Sequence, residues 1–197
     1  DGRFTTSHQL KKAAKGKKII LYAPTHRQEG KIVFPLKEQF DFEKLNQWCV
    51  EHNMVFVIRR HFYHKNEEVD FSMYSNITDI TKKSMDIQEI LMDTDILISD
   101  YSSTYIDYLL LDRPLIFYNF DYEDYLQNDR EMYYDYDEVT PGYKAAIFDE
   151  LMTELDSIAK DEDHFVEERQ RVRDLFYCKD GQQMVGEKLL EFLKNLK

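Results

Sequence analysis

The sequence predicts an α/β fold in which a parallel sheet is covered on both faces by helices. Continuously apolar runs of strand length recur between Ile19 and Tyr118, and segments of helical periodicity separate them. The chain has 197 residues, 43% of them hydrophobic, enough for one domain with a substantial core.

Residues 1–18 are polar, with Lys11, Lys12, Lys15, Lys17 and Lys18 packed around Gly16, and are expected to form a linker or the end of an interdomain segment. The domain proper is expected over 19–197. Ile19-Ile20-Leu21-Tyr22-Ala23 reads as a buried strand stopped by Pro24. Asp41 is a plausible N-cap for a helix whose apolar residues Phe42, Leu45, Trp48 and Cys49 fall at helical spacing. Met54-Val55-Phe56-Val57-Ile58 is the next strand. The alternation continues with a short strand near 76–80, a helix from about 86 to 92 and a strand over 95–99. A helix over 103–111 then leads to a strand over 114–118. With right-handed crossovers this is a Rossmann-like arrangement. Beyond Tyr118 the chain turns acidic and tyrosine-rich. Three helices follow at about 145–158, 162–176 and 183–196, the last with the apolar stripe Met184, Leu189, Leu190, Leu193 and Leu196. An ordinary packing role is expected for that helix, and a core-edge role for most tyrosines between Tyr101 and Tyr136.

The formal charge of −12 argues against broad binding to nucleic acid or anionic lipid, since the summed field repels a polyanion. A phosphorylated ligand therefore needs a local basic pocket. The two cysteines, Cys49 and Cys178, suggest neither a disulfide framework nor a CxxC metal site, and fit a reducing cytosol. No apolar run approaches the roughly 20 residues that span a bilayer, and no signal-peptide pattern opens the chain, so a soluble domain is expected. A start at Asp1 rather than Met is read as a fragment of something longer.

In an open parallel sheet, ligands bind beyond the carboxyl ends of the strands, where helix N-termini present unpaired N–H groups. Ser99-Asp100-Tyr101-Ser102-Ser103 occupies such a junction, and Ser102, Ser103 and Thr104 add hydroxyl donors. Asp107 lies one turn further, where it can orient a serine or accept from a ligand hydroxyl. The same pattern suits simple helix capping equally well, because serine is a common N-cap.

Several ordered blocks sharpen the choice. Leu21-Tyr22-Ala23-Pro24-Thr25-His26-Arg27, then Arg59-Arg60-His61, then Ile98 to Ser103 with Asp107, together resemble the CDP-glycerol glycerophosphotransferase family, the teichoic acid primases and polymerases. Arg113-Pro114-Leu115-Ile116-Phe117-Tyr118, Tyr133-Tyr134-Asp135-Tyr136 and Pro141-Gly142 extend the resemblance in order. It implies a GT-B-type enzyme of two Rossmann-like domains, of which this chain is the C-terminal, donor-binding half with a helical C-terminal tail. The acceptor side and a further catalytic histidine are then expected in the missing N-terminal domain. The resemblance further implies that Arg27 and His61 are catalytic, and that Thr25, Arg27, Arg60, His61, Ser102, Ser103, Thr104 and Asp107 bind the donor. The implied donor is CDP-glycerol or a related CDP-polyol, and the acceptor a polyol-phosphate polymer. The full-length enzyme is implied to lie at the cytoplasmic face of a bacterial membrane. Arg27 offers a planar fork for phosphate oxygens, and the ordinary pKa of a histidine such as His61 lies near working pH.

Three positions depart from the family: His26 replaces an aromatic residue, Glu131 follows Arg130 where Arg-Gly is usual, and Tyr143 follows Pro141-Gly142 where proline is common. These leave the activated polyol open, ribitol phosphate included. Asp135-Tyr136-Asp137 matches the metal-binding DxD pattern, but Asp93-Thr94-Asp95 and Asp161-Glu162-Asp163 do so too, which empties the motif of weight. His61 and His64 lack an evident third ligand, so no protein-bound metal and no tightly bound cofactor are expected, with magnesium at most accompanying the diphosphate. The lysine-rich opening is expected to be a solvated linker rather than a lipid contact. Two other readings remain: a GT-B-type glycosyltransferase using a UDP- or GDP-sugar, and a non-catalytic polymer-binding module of the same fold.

Overall fold

The computed structural model describes residues 8–27, 34–61, 68–129, 132–177 and 185–195. Strands β1 (Lys18–Tyr22), β2 (Met54–Ile58), β3 (Ile77–Asp79), β4 (Ile96–Ser99), β5 (Leu115–Tyr118) and β6 (Tyr143–Ala145) form one sheet in the order β3-β2-β1-β4-β5-β6. Every neighbouring pair is parallel, with registers such as Ile20↔Phe56, Ile20↔Ile96 and Ile98↔Ile116. The helices are α1 (Gln9–Ala14), α2 (Leu36–Gln39), α3 (Phe42–Glu51), α4 (Ile87–Asp93), α5 (Thr104–Tyr108), α6 (Tyr122–Asn128), α7 (Tyr136–Val139), α8 (Phe148–Ala159), α9 (Val166–Phe176) and α10 (Val185–Lys194). Among the described residues no helix is long and apolar enough to cross a membrane.

The uninterrupted hydrophobicity of the strands follows from burial on both faces. Ile20, Tyr22, Phe56, Ile98 and Tyr118 point to one core, packed by α2, α3 and α8 through Leu36, Leu45, Trp48, Leu151 and Leu155. Ile19, Leu21, Val57, Leu97 and Phe117 point to the other, packed by α1, α4, α5, α7 and α9 through Leu10, Ile90, Tyr108, Val139 and Val172. Each fully buried Leu or Ile contributes about 1.5–3 kcal/mol. The expected caps form: Asp41 accepts from the Lys44 amide at 3.0 Å to start α3, and Asp86 from the Gln88 amide at 2.8 Å to start α4.

Four features differ from the sequence reading. The opening segment is not simply a linker: α1 buries Leu10 and Ala14, and the buried Asp93 carboxylate accepts from the Leu10 and Lys11 amides at 3.1 and 3.2 Å. Ala145 ends strand β6 rather than opening a helix, because three residues are too few to display an alternation. The helix after β4 is α for only five residues and finishes as a 3-10 turn, Leu109–Leu111, closed by Asp112 in the left-handed region at φ 49°. On α10, Leu190, Phe192 and Leu193 are exposed, so the expected packing is not seen at Leu190 and Leu193; Met184, Leu196 and the Leu189 side chain lie outside what the structure describes.

Candidate active site

The strand order reverses between β1 and β4, so the segments leaving their carboxyl ends part and leave a crevice. A cleft of about 1080 Å³ opens there. Ala23 to His26 line it after β1, Arg59, Arg60 and His61 after β2, Thr81 after β3, and Asp100 to Ile106 after β4. Its far wall is aromatic and apolar, with Tyr125, Met132, Tyr133, Tyr134, Tyr136 and Phe176. A basic, hydroxyl-rich end thus faces a wall of rings.

Asp100, the second residue of the Ser99 to Ser103 block, is fully buried and organises this floor. Its carboxylate accepts from the Thr25 amide (2.8 Å), the Thr25 hydroxyl (2.7 Å), the Tyr101 amide (2.6 Å) and Arg27 Nη2 (2.8 Å). Its carbonyl accepts from the Tyr136 hydroxyl at 3.1 Å. Arg27 is 2% exposed, and it also donates to Asp121 from Nε (2.6 Å) and Nη2 (3.0 Å) and to the Thr25 carbonyl from Nη1 (2.7 Å). Its guanidinium carbon lies 5.0 and 5.2 Å from the ring centroids of Tyr101 and Tyr125, which themselves stack at 3.8 Å. Burial pulls the Arg27 pKa down, but the pairings with Asp100 and Asp121 outweigh it and raise the pKa, holding the side chain charged. Arg27 therefore stands behind the cleft, tying the β1, β4 and β5 ends together, and its fork is not turned to a ligand as the sequence led us to expect.

Asp107 also departs from its expected place. It is exposed, accepts from the Tyr177 hydroxyl at 3.0 Å and does not line the cleft. The helix starts at Thr104, leaving Ser103 outside it at the N-cap, so the one-turn relation to Ser103 does not bring Asp107 to the ligand side. The remaining expected donor residues, Thr25, Arg60, His61, Ser102, Ser103 and Thr104, all line the cleft. Their commitments differ. The Thr25 hydroxyl is spent on Asp100, and Arg60 donates to Asp79 at 2.6 Å while its amide bonds the Thr81 hydroxyl at 2.9 Å. Ser102 acts partly as a cap, its Oγ accepting from the Thr104 amide at 3.2 Å and lying 2.8 Å from the Thr104 hydroxyl. Ser103, exposed, makes no side-chain capping bond. Of the two neighbouring serines, Ser102 is thus the one engaged in capping.

The sequence reading passed over His26, Arg59 and Thr81 as site residues. His26 stacks on His61 with centroids 5.0 Å apart and planes at 29°. Burial lowers the His61 pKa, and His26 and Arg59 lower it further. Arg59 Nη2 donates to the Met85 carbonyl at 3.0 Å. All three sit within four residues of a strand's carboxyl end, the one signal that would have found them. The Asp135 carboxylate accepts from the Asp137 amide at 2.9 Å, so this DxD sequence caps α7. Among the described residues no group of three His, Cys, Asp or Glu side chains is placed to hold a metal ion; His64 lies outside them.

The β3-β2-β1-β4-β5-β6 order and the crevice between β1 and β4 define a Rossmann-like α/β domain with an open cleft at its switch point. Residues 7–193 match the model of the CDP-Glycerol:Poly(glycerophosphate) glycerophosphotransferase family, and the chain belongs to that family. Over 156 residues it is 38% identical to the teichoic acid ribitol-phosphate polymerase TarK of Staphylococcus aureus, covering 78% of this chain and 29% of that one. It is 40% identical over 134 residues to a teichoic acid poly(glycerol phosphate) polymerase of Bacillus spizizenii, covering 65% and 33%. Among solved structures, a variant of the wall teichoic acid polymerase TagF soaked with CDPG superposes with a TM-score of 0.68 at 27% identity, over 86% of this chain and 44% of that one. The expected α/β class with helices on both faces is the one observed, and the likeness to TagF supports its GT-B-type assignment. The match spans 29% and 33% of the lengths of these two curated relatives.

Proposed function

We propose that this chain is the donor-binding domain of an enzyme that moves glycerol phosphate from CDP-glycerol to a teichoic-acid or capsule-like polymer, with release of CMP. The observation that carries this reading is the convergence of His61, Arg59 and the Ser102 to Thr104 hydroxyls in one cleft at the sheet's switch point. In that reaction an acceptor hydroxyl forms a bond to the phosphorus bearing the glycerol, and the bond from that phosphorus to the CMP oxygen breaks. Charge builds on the departing phosphate, where fixed hydroxyl, amide and cationic donors stabilise it. His61 donates a hydrogen bond or a proton to that leaving group. Arg27 and Asp100 act one layer back, fixing the loops that carry Thr25 and Tyr101. The base that takes the acceptor proton belongs to an N-terminal domain of the same enzyme, which meets the acceptor. No cofactor is tightly bound in this reading, magnesium at most accompanies the diphosphate, and the full-length enzyme works at the cytoplasmic face of the membrane.

Relatives that polymerise ribitol phosphate make CDP-ribitol the second donor to test. Calorimetry of the chain with CDP-glycerol, CDP-ribitol, UDP-glucose and GDP-mannose is expected to give binding to the cytidine compounds alone. Ser103→Ala is expected to weaken that binding by about tenfold, the worth of one hydrogen bond to a charged group. Preference for a uridine or guanosine nucleotide, or no binding by any cytidine compound, would sink the proposal.

A further inference from the structure

Two arginines at the cleft are committed to carboxylates: Arg27 pairs with Asp100 and Asp121, and Arg60 with Asp79. The lysines of the opening segment are not. The exposed side chains of Lys11, Lys12, Lys15 and Lys18 make no ion pair or hydrogen bond among the described residues. Lys17, half-buried beside them, donates to the Asn76 side chain at 2.7 Å. The fold gathers these cations on one face. The buried Asp93 carboxylate, at the end of α4, accepts from the Leu10 and Lys11 amides and fastens α1, while Asp95 accepts from the Ile19 amide at 2.8 Å. Both carboxylates beneath the patch are thus engaged by the backbone. Leu10 and Ala14 pack into the core, which turns Lys11, Lys12 and Lys15 outward. Lys18 opens β1 beside Met54 at the start of β2. Because the strands are parallel, this face is the amino edge of the sheet, and the cleft opens at the carboxyl edge. The five residues of β1 hold the two edges about 17 Å apart, at about 3.3 Å per residue.

A net charge of −12 keeps polyanions from most of this surface. In physiological salt, however, exposed charges are felt over only about 8 Å, so a ligand at the amino edge meets the lysines rather than the total. The acceptor in the proposed reaction is itself a polyanion, a flexible chain of phosphodiesters with one negative charge per repeat. We propose that the outer face of α1, with Lys18, is a second binding surface for this polyol-phosphate polymer, holding repeats that lie behind the reacting end. The proposal rests on the reading of the acceptor as such a polymer. The polymer passes around the domain from the cleft to the amino edge, where its phosphates pair with the lysines, and it stays with the enzyme between transfers. Residues 8–18 expose no large apolar side chain of the kind that enters a bilayer beside its cations, which favours a free polyanion over anionic lipid as the occupant.

Fluorescence anisotropy with labelled poly(glycerol phosphate), short and long, reads this binding without any donor present. Long polymer is expected to bind more tightly than short, and both less tightly as salt rises. A chain carrying Lys11→Gln, Lys12→Gln, Lys15→Gln and Lys18→Gln together is expected to lose at least about tenfold in affinity for long polymer, an exposed ion pair being worth about two- to fivefold. The advantage of long over short polymer is expected to go with it. The urea midpoint and the calorimetric affinity for CDP-glycerol are expected to stay at the wild-type values, since none of these lysines lines the cleft. Replacing exposed lysines elsewhere, Lys160→Gln with Lys194→Gln, is expected to change polymer binding by less than about twofold. Equal polymer affinity in the quadruple variant and the wild type, or binding to phosphatidylglycerol vesicles with none to the polymer, would overturn the second surface alone, provided that CDP-glycerol still binds. Absence of CDP-glycerol binding by the wild-type chain would overturn the reading on which it rests.

Discussion

Arg27 stands out in the sequence as a site candidate, and the structure places it behind the cleft among buried carboxylates. An arginine that grips a phosphate and one that neutralises buried carboxylates look alike in sequence, and here the partners, Asp100 and Asp121, lie 73 and 94 residues away. Removing the guanidinium leaves Asp100 charged and fully buried without its cation. Arg27→Met is expected to cost about 3–5 kcal/mol of stability in urea titrations, the usual penalty for breaking a buried ion pair. Arg27→Lys recovers little of it, since one ammonium cannot span Asp100, Asp121 and the Thr25 carbonyl together. An Arg27→Met chain of unchanged stability that merely lost its nucleotide affinity would return Arg27 to the ligand. His61, Ser102, Ser103 and Thr104 line the cleft because each lies within five residues of the carboxyl end of a strand that the apolar runs locate.

At the scale of elements, the four longer apolar strands and the caps of α3 and α4 could be read directly, because burial on two faces and the capping carboxylates of Asp41 and Asp86 are written locally. The edge strand β6 could not. Its place against β5 depends on a close approach at Gly142, where a Cβ would stand 2.6 Å from the Leu115 carbonyl oxygen. Gly142→Ala is therefore expected to destabilise the chain by about 1–3 kcal/mol through overpacking, measurable as a lowered urea midpoint. An unchanged midpoint would show that β6 shifts freely on the sheet. The helix α9 is fastened by Arg169, 2% exposed, which pairs with Asp163 at 2.8 Å and with Asp112 at 3.1 Å. That pairing crosses from the end of α8 to the turn before β5, and no sequence period announces it.

For the whole molecule, these pairings set how stability follows pH. Burial alone would raise the Asp163 pKa, but its hydrogen bonds and ion pair with Arg169 outweigh that and hold it below the ordinary carboxylate value. Its contribution is thus complete above an unfolded pKa of about 4 and is lost as pH falls through the lower folded value. His61 acts at milder acidity: with its folded pKa lowered, protonation favours the unfolded chain, so stability begins to fall below a pH of about 6.5. Urea titrations across pH are expected to show both declines, the milder one absent in His61→Gln and the acidic one reduced in Arg169→Met. A profile identical in all three chains would contradict this assignment.

The sequence by itself determined the α/β class, the succession of strands and helices, the family and the turn after β4, because two-faced burial, capping and a contiguous polar block are properties of neighbouring residues. Only the tertiary structure decided which side chains face the cleft. The sheet order brings the ends of β1, β2 and β4 together, stacking His26 on His61, while Asp100 and Asp121 draw Arg27 behind the floor and Tyr177 draws Asp107 outward. Those outcomes depend on partners distant in the chain, where the electrostatics of a buried charge outweigh any local pattern.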